Sequence, residues 1–130
     1  VKHIMLSNRT KLKAEELRNY YKKKNFNENI ITVVEWGELP NFDVIINATS
    51  VGLKKDQKLN LDFSKIEKGK FFYDIIYNPK ETNFLKIGKQ LGNQTENGKK
   101  MFIYQAAEAF KIWHKIEPEI NEEINKLLDK

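Results

Sequence analysis

Asp43-Val-Ile-Ile-Asn-Ala-Thr-Ser-Val-Gly-Leu53 is the stretch on which the fold turns. An apolar run, Val44-Ile45-Ile46, closes on the small polar residues Thr49 and Ser50 and then on Gly52. A run of this length bounded by turn residues reads as a buried strand of a parallel sheet. Its polar tail then falls at the carboxyl end of the strand, where open α/β sheets bind their ligands. Gly52 permits a positive φ and close approach of the backbone to a ligand. The same ending also fits the start of an ordinary loop, and the stretch alone leaves both readings open.

On the amino-terminal side, Lys2–Ser7 reads as a short strand with Asn8-Arg9-Thr10 as its carboxyl-end turn. Thr10 suits a helix N-cap. Ala14, Leu17 and Tyr21 then follow at i, i+3 and i+7, so a helix turns one face to a core. Glu15 and Glu16 near its start and Lys22-Lys23-Lys24 at its end suit the helix dipole. That lysine run is a helix terminus or, on the other reading, a phosphate patch. Asn25–Asn29 is a polar turn, Ile30–Val34 a strand, and Trp36–Phe42 a loop broken by Gly37 and Pro40.

On the carboxyl side, Lys54–Asn60 is a charged loop and Leu61–Ile66 a helical turn. Phe71–Ile76 is a further apolar strand, ended by Tyr77-Asn78-Pro79. Thr82–Leu91 reads as a short helix with Phe84, Leu85 and Ile87 inward and Gly92 at its end. Asn93–Lys100 reads as a loop around Gly98. Met101–Trp113 is a helix with Phe102, Ala106, Phe110 and Trp113 on one side. Pro118 suits N1 of a last helix, whose face is Ile120, Ile124, Leu127 and Leu128. Strands alternating with helices argue an α/β fold with a mainly parallel sheet.

The 130 residues suit one domain, and 40% hydrophobic content supplies a core. There is no cysteine, so disulfides and thiolate metal sites are excluded. No signal peptide and no twenty-residue apolar run is present, and a soluble cytoplasmic protein without membrane contact is expected. The net charge of +5 comes from lysines spread along the whole chain, which reads as solvated faces. The chain opens on Val1, just before a strand-like run, and reads as a piece of a longer protein.

Arg9 is the sharpest single residue, one of two arginines among 23 basic side chains. It sits in the turn after a strand. In dinucleotide-binding folds an acidic residue at such a place accepts from the ribose 2′-OH, whereas an Arg accommodates the 2′-phosphate of NADP. The planar guanidinium gives a bidentate phosphate contact that Lys does not reproduce. Asn8 and Thr10 add neutral donors and Lys13 adds charge. The turn by itself equally fits an exposed loop arginine. His3 and His114, the two histidines, stand far apart without spaced partners and read as structural. No metal-ligand spacing, P-loop or nucleophile elbow is present. Tyr77 and Gln105, near the ends of apolar elements, have the chemistry to hydrogen-bond a hydroxylated substrate or simply to sit at a boundary.

Taken together, these stretches resemble the C-terminal, NADP-binding part of the shikimate dehydrogenase family. The matching pieces are Asn8-Arg9-Thr10 with Lys13, Asn47-Ala48-Thr49-Ser50-Val51-Gly52, and Tyr73 through Pro79 with Thr82 and Phe84-Leu85. Gly98 and Met101 through Gln105 to Phe110 complete them. They run in the family's order over nearly the whole chain. The resemblance implies a Rossmann-like fold and reversible reduction of 3-dehydroshikimate to shikimate with NADPH, a step of aromatic amino-acid biosynthesis. It implies that Asn8, Arg9, Thr10 and Lys13 hold the adenosine 2′-phosphate, and that Thr49 and Ser50 lie beside the ribose and nicotinamide. Ile75 packs near the nicotinamide, Gly98 offers it a backbone contact, and Tyr77 and Gln105 meet shikimate. The carboxyl-terminal helices of residues 101–129 return toward a substrate domain.

The chain departs from the family in what it lacks. The catalytic Lys–Asp pair belongs to an N-terminal substrate domain that is absent, so no catalytic residue is expected within these 130 residues. The glycine-rich loop and the first strand of the nucleotide domain are absent too. Lys100 stands where the family often has a second Gly. Residues 1–130 are therefore expected to be a partial NADP-binding domain whose sheet is incomplete. Alone they should bind NADP weakly and catalyse nothing. Without a central first strand, the strands at Ile4 and Val44 must pair directly, stay apart or rely on other material. A quinate/shikimate dehydrogenase paralogue is the alternative within the fold. A basic nucleic-acid-binding module is the alternative outside it, disfavoured because the aromatics fall at core spacing.

Overall fold

A computed structural model describes residues 1–24, 30–54 and 56–128. The polar turn expected at Asn25–Asn29, Lys55 of the charged loop and the last residues of the C-terminal segment lie outside them. The chain divides into two compact units, Val1–Pro40 with Asn60–Asp62, and Asn41–Leu59 with Phe63–Lys130.

The first unit is one parallel strand pair and one helix. β1 (Ile4–Leu6) pairs with β2 (Ile31–Val33) in the register Ile4↔Ile31. α1 (Lys11–Lys23) joins them and is capped by Thr10 in extended conformation, without a side-chain capping bond. Ala14 is buried as the spacing predicts, but Leu17 and Tyr21 are exposed, so this face is only partly covered. The first turn of α1 holds no acidic residue, while Lys22 and Lys23 occupy its last turn. Only the basic half of the expected dipole match is realised.

The second unit carries a three-stranded parallel sheet ordered β3-β4-β5. β3 (Val44–Asn47) pairs with β4 (Phe71–Asp74), placing Asn47 opposite Asp74. β4 pairs in turn with β5 (Gln94–Glu96), a short polar strand inside the segment expected as loop. β1 and β3 do not pair with each other. Among the described residues these two strands belong to separate sheets.

β4 is central, and its face of Phe72, Asp74 and Ile76 is buried. α2 (Asn83–Gln90) packs on that face. Phe72 meets Phe84 at 5.2 Å and Phe63 at 6.0 Å between ring centroids. Full burial of one such ring contributes about 1.5–3 kcal/mol. Helix and sheet approach so closely that a Cβ on Gly88 would lie 2.6 Å from the Phe72 ring. β3 departs from the buried strand expected of it. It is an edge strand, with Val44 and Ile46 51% and 59% exposed; only Ile45 and Asn47 face the covered side.

α3 (Lys99–His114) follows β5. Ile103 is its one buried residue, while Phe102, Phe110 and Trp113 of the expected face are exposed, Trp113 to 76%. α4 (Glu122–Leu127) begins later than Pro118 suggests. Asn121 is its cap because its side chain accepts from the backbone N–H groups of Glu123 and Ile124. Within Leu61–Ile66, the Ile66 N–H bond to the Phe63 C=O closes a turn. Among the described residues no helix is long and apolar enough to cross a membrane.

Candidate functional site

The β1–α1 turn brings Asn8, Arg9, Thr10 and Lys13 together at an exposed helix start. The Thr10 N–H donates to Asn8 Oδ1 at 2.8 Å, which folds the turn on itself. Lys11 is ion-paired with Glu35, and that bond raises its pKa above the ordinary lysine value. Arg9 and Lys13 have no acidic partner among the described residues. Among the described residues Glu35 thus neutralises Lys11, and no carboxylate is paired with the two sequence-derived cations. This donor set fits a phosphate group.

In the second unit, the carboxyl ends of β3 and β4 and the start of α2 converge on a buried polar node. Asn47, Asp74 and Thr82 are each at most 2% exposed. Asn47 Nδ2 donates to Asp74 Oδ1 at 3.1 Å and to the Val51 carbonyl at 3.0 Å. Asn47 Oδ1 accepts from the Thr49 N–H and hydroxyl. Its amide is therefore fully used. The Thr49 hydroxyl in turn accepts from Val51 N–H. Asp74 Oδ1 also accepts from Ile76 N–H at 3.0 Å, and its Oδ2 accepts from the Thr82 hydroxyl at 2.6 Å. Thr82 completes the chain by capping α2 at Leu85 N–H.

Gly52 seats the β3-end loop on this node. Its φ of +119° is one that favours glycine, and an added Cβ would lie 3.2–3.3 Å from Thr82 and Ile76. The close approach expected of Gly52 is thus made to the protein's own side chains. Gly98 makes a tighter one. With an ordinary φ of −74°, it packs so closely on β4's end that a Cβ would lie 1.9 Å from the Ile75 carbonyl oxygen. Its N–H donates to the Ile76 carbonyl at 3.1 Å. Asn97 braces the same turn, donating to the Lys80 carbonyl and accepting from Lys99 N–H.

These contacts sort the sequence-derived residues. Ile75 and Gly98 meet through their backbones. The half-buried Tyr77 stacks on Phe102 of α3 at 4.6 Å, and the exposed Gln105 follows Phe102 by one helical turn on the same flank of α3. The Thr49 hydroxyl is committed to shaping its own loop, while Ser50 is exposed. His3 is hydrogen-bonded to Thr32 at 2.9 Å and His114 packs against Phe110. A cleft of about 530 Å³ bounded by Lys80, Glu81, Thr95, Asn97, Lys100 and Asn125 includes none of the sequence-derived residues. The roles of Asn47, Asp74 and Thr82 were missed. Their signal was the polar residue ending each of two apolar runs, with a cap threonine following.

No protein-family model matches the chain. Over 129 residues it is 57% identical to a shikimate dehydrogenase (NADP(+)) of Pelagibacter ubique, covering 99% of this chain and 46% of that protein. The chain belongs to the shikimate dehydrogenase family. A crystal structure of a shikimate dehydrogenase in complex with NADP+ superposes with a TM-score of 0.86 at 36% identity, over 98% of this chain and 45% of the other. A quinate dehydrogenase from Corynebacterium glutamicum in complex with NAD gives a TM-score of 0.86 at 25% identity, over 100% and 47%. The Rossmann-like assignment holds, and the chain spans about half the length of the curated relatives it matches.

Proposed function

We propose that this chain is the cofactor-binding part of an NADP-dependent shikimate dehydrogenase, which reversibly reduces 3-dehydroshikimate to shikimate. The observation that carries the reading is the 57% identity to an enzyme of that name over 129 residues. Arg9 and Lys13, without an acidic partner among the described residues, beside the ion-paired Lys11 support NADP over NAD. When bound, NADPH supplies the hydride. Arg9 and Lys13 hold the 2′-phosphate, with Asn8 and Thr10 shaping the turn. Ser50, and Thr49 through its loop, border the ribose and nicotinamide. Ile75 and Gly98 form a flat backbone ledge beside the nicotinamide ring. Tyr77 and Gln105 hydrogen-bond the substrate's hydroxyl groups.

A catalytic Lys–Asp pair would come from a substrate domain of the same protein. The exposed apolar residues of α3 and beyond, among them Trp113, Ile112 and Ile116, would pack on that domain. The quinate dehydrogenase likeness keeps quinate as the alternative substrate. The test is turnover by the full-length protein, offering shikimate or quinate with NADP+ or NAD+. Preference for shikimate and NADP+ is expected. Equal use of quinate with NAD+ overturns the substrate and cofactor assignment, and no turnover of either overturns the reading.

A further inference from the structure

Resting on that reading, we propose that Asp74 is a positioning residue. It locks the Asn47–Gly52 loop and the Asp74–Pro79 turn into one rigid ledge, so that the hydride-transfer geometry depends on a carboxylate that touches neither reactant. Asp74 is 0% exposed and lies behind residues proposed to meet cofactor and substrate. Its three partners come from three different places. Asn47 leads to Thr49 and Val51, Ile76 N–H leads to Tyr77, and Thr82 starts α2. All three donate, so the group must accept three times, which a carboxylate does and a neutral amide does not. An unmatched donor at such depth costs more than the bond it loses, so the ledge has one low-energy arrangement. A carboxylate used only to orient Thr82, the cap of α2, would need the Thr82 bond alone.

The test uses the full-length protein carrying Asp74→Asn, with Thr82→Val and Thr82→Ser as a second pair. Asp74→Asn is nearly isosteric and keeps two of the acceptor contacts, but leaves the Thr82 hydroxyl proton without one. NADPH affinity should hold, since the phosphate clamp lies in the other unit. A shift of about 1 Å in a positioning element lowers turnover about 100-fold, so kcat should fall by that order with little change in KM. The primary isotope effect with 4-deuterated NADPH should rise as hydride transfer becomes more rate-limiting. Thr82→Ser should behave as wild type and Thr82→Val should share the defect. Amide exchange gives a readout free of turnover. Thr49, Val51 and Ile76 should exchange faster in Asp74→Asn, with Phe72 and Tyr73 unchanged. Wild-type kcat and isotope effect per folded molecule in Asp74→Asn overturn the proposal, as does identical behaviour of the two Thr82 variants. If Asp74→Asn does not fold, the Thr82 pair decides. If wild-type protein turns over no shikimate, the functional reading fails, and exchange alone decides whether Asp74 couples the two turns.

Discussion

Replacing Gly98 by alanine adds one methyl group at the tightest backbone contact among the glycines. Its φ of −74° suits any residue, so the substitution carries no conformational strain of its own. The whole effect comes from the added Cβ, which would lie 1.9 Å from the Ile75 oxygen and 2.4 Å from its carbonyl carbon. Both are backbone atoms and neither can rotate away. Real Cβ atoms essentially never approach within 3.0 Å, so the turn must open by roughly 1.1 Å. That opening breaks the Gly98 N–H bond to the Ile76 carbonyl. Overpacking plus one lost hydrogen bond gives a loss of about 3 kcal/mol. Gly69→Ala is the control. Its φ of +85° penalises alanine, yet its Cβ would meet nothing within 4 Å. It should cost about 1 kcal/mol through backbone conformation alone. Urea unfolding of both variants measures the difference, and shikimate turnover in the full-length protein should fall about 100-fold in Gly98→Ala and hardly in Gly69→Ala. A Gly98→Ala protein no less stable than Gly69→Ala would refute the close-packing argument.

Asn47→Asp puts a second carboxylate 3.1 Å from that of Asp74 in place of a donating amide; a loss of at least about 3 kcal/mol is expected in urea unfolding. Gly88→Ala drives a methyl into the Phe72 ring at 2.6 Å and should cost about 1–3 kcal/mol, with the near-ultraviolet signal of the aromatic cluster altered in the same sample. Arg9→Ala should weaken NADPH binding about 10- to 100-fold, as loss of a charge-assisted hydrogen-bond pair does, while shikimate affinity and binding of NADH, which lacks the 2′-phosphate, stay unchanged. Equal losses for NADPH and NADH would remove Arg9 from the phosphate site.

The strands built on apolar runs were legible in the sequence, because Val44-Ile45-Ile46 and Phe71-Phe72-Tyr73 are marked by composition alone, although composition did not show that Val44 and Ile46 would lie exposed on an edge strand. β5 was not, since Gln94-Thr95-Glu96 pairs through its backbone and buries little. The start of α4 was misjudged because Pro118 fits N1 on statistics, whereas Asn121 satisfies two orphan N–H groups. The helix face of Phe102, Phe110 and Trp113 reads from its spacing as one apolar side, and in the structure it is exposed. Spacing reports that a face is apolar, not which segment covers it. Among the candidate site residues, Arg9 stands out in the sequence because its residue type is rare in this chain. Asp74 was not, because the partners that give it a role lie 27 residues upstream and 8 residues downstream.

The pairing of Asn47 with Asp74 also bears on how the chain finds its native alignment. β3 and β4 meet through two apolar runs, Val44–Ile46 against Phe71–Tyr73. A slip of two residues would leave the same side chains on the same faces, so hydrophobic pattern alone scarcely forbids it. The polar pair does forbid it. In any slipped alignment Asp74 would be buried without Asn47, and Asn47 without a carboxylate to receive its amide, at several kcal/mol. The node behind the candidate site is thus also the key by which two otherwise interchangeable strands recognise one register.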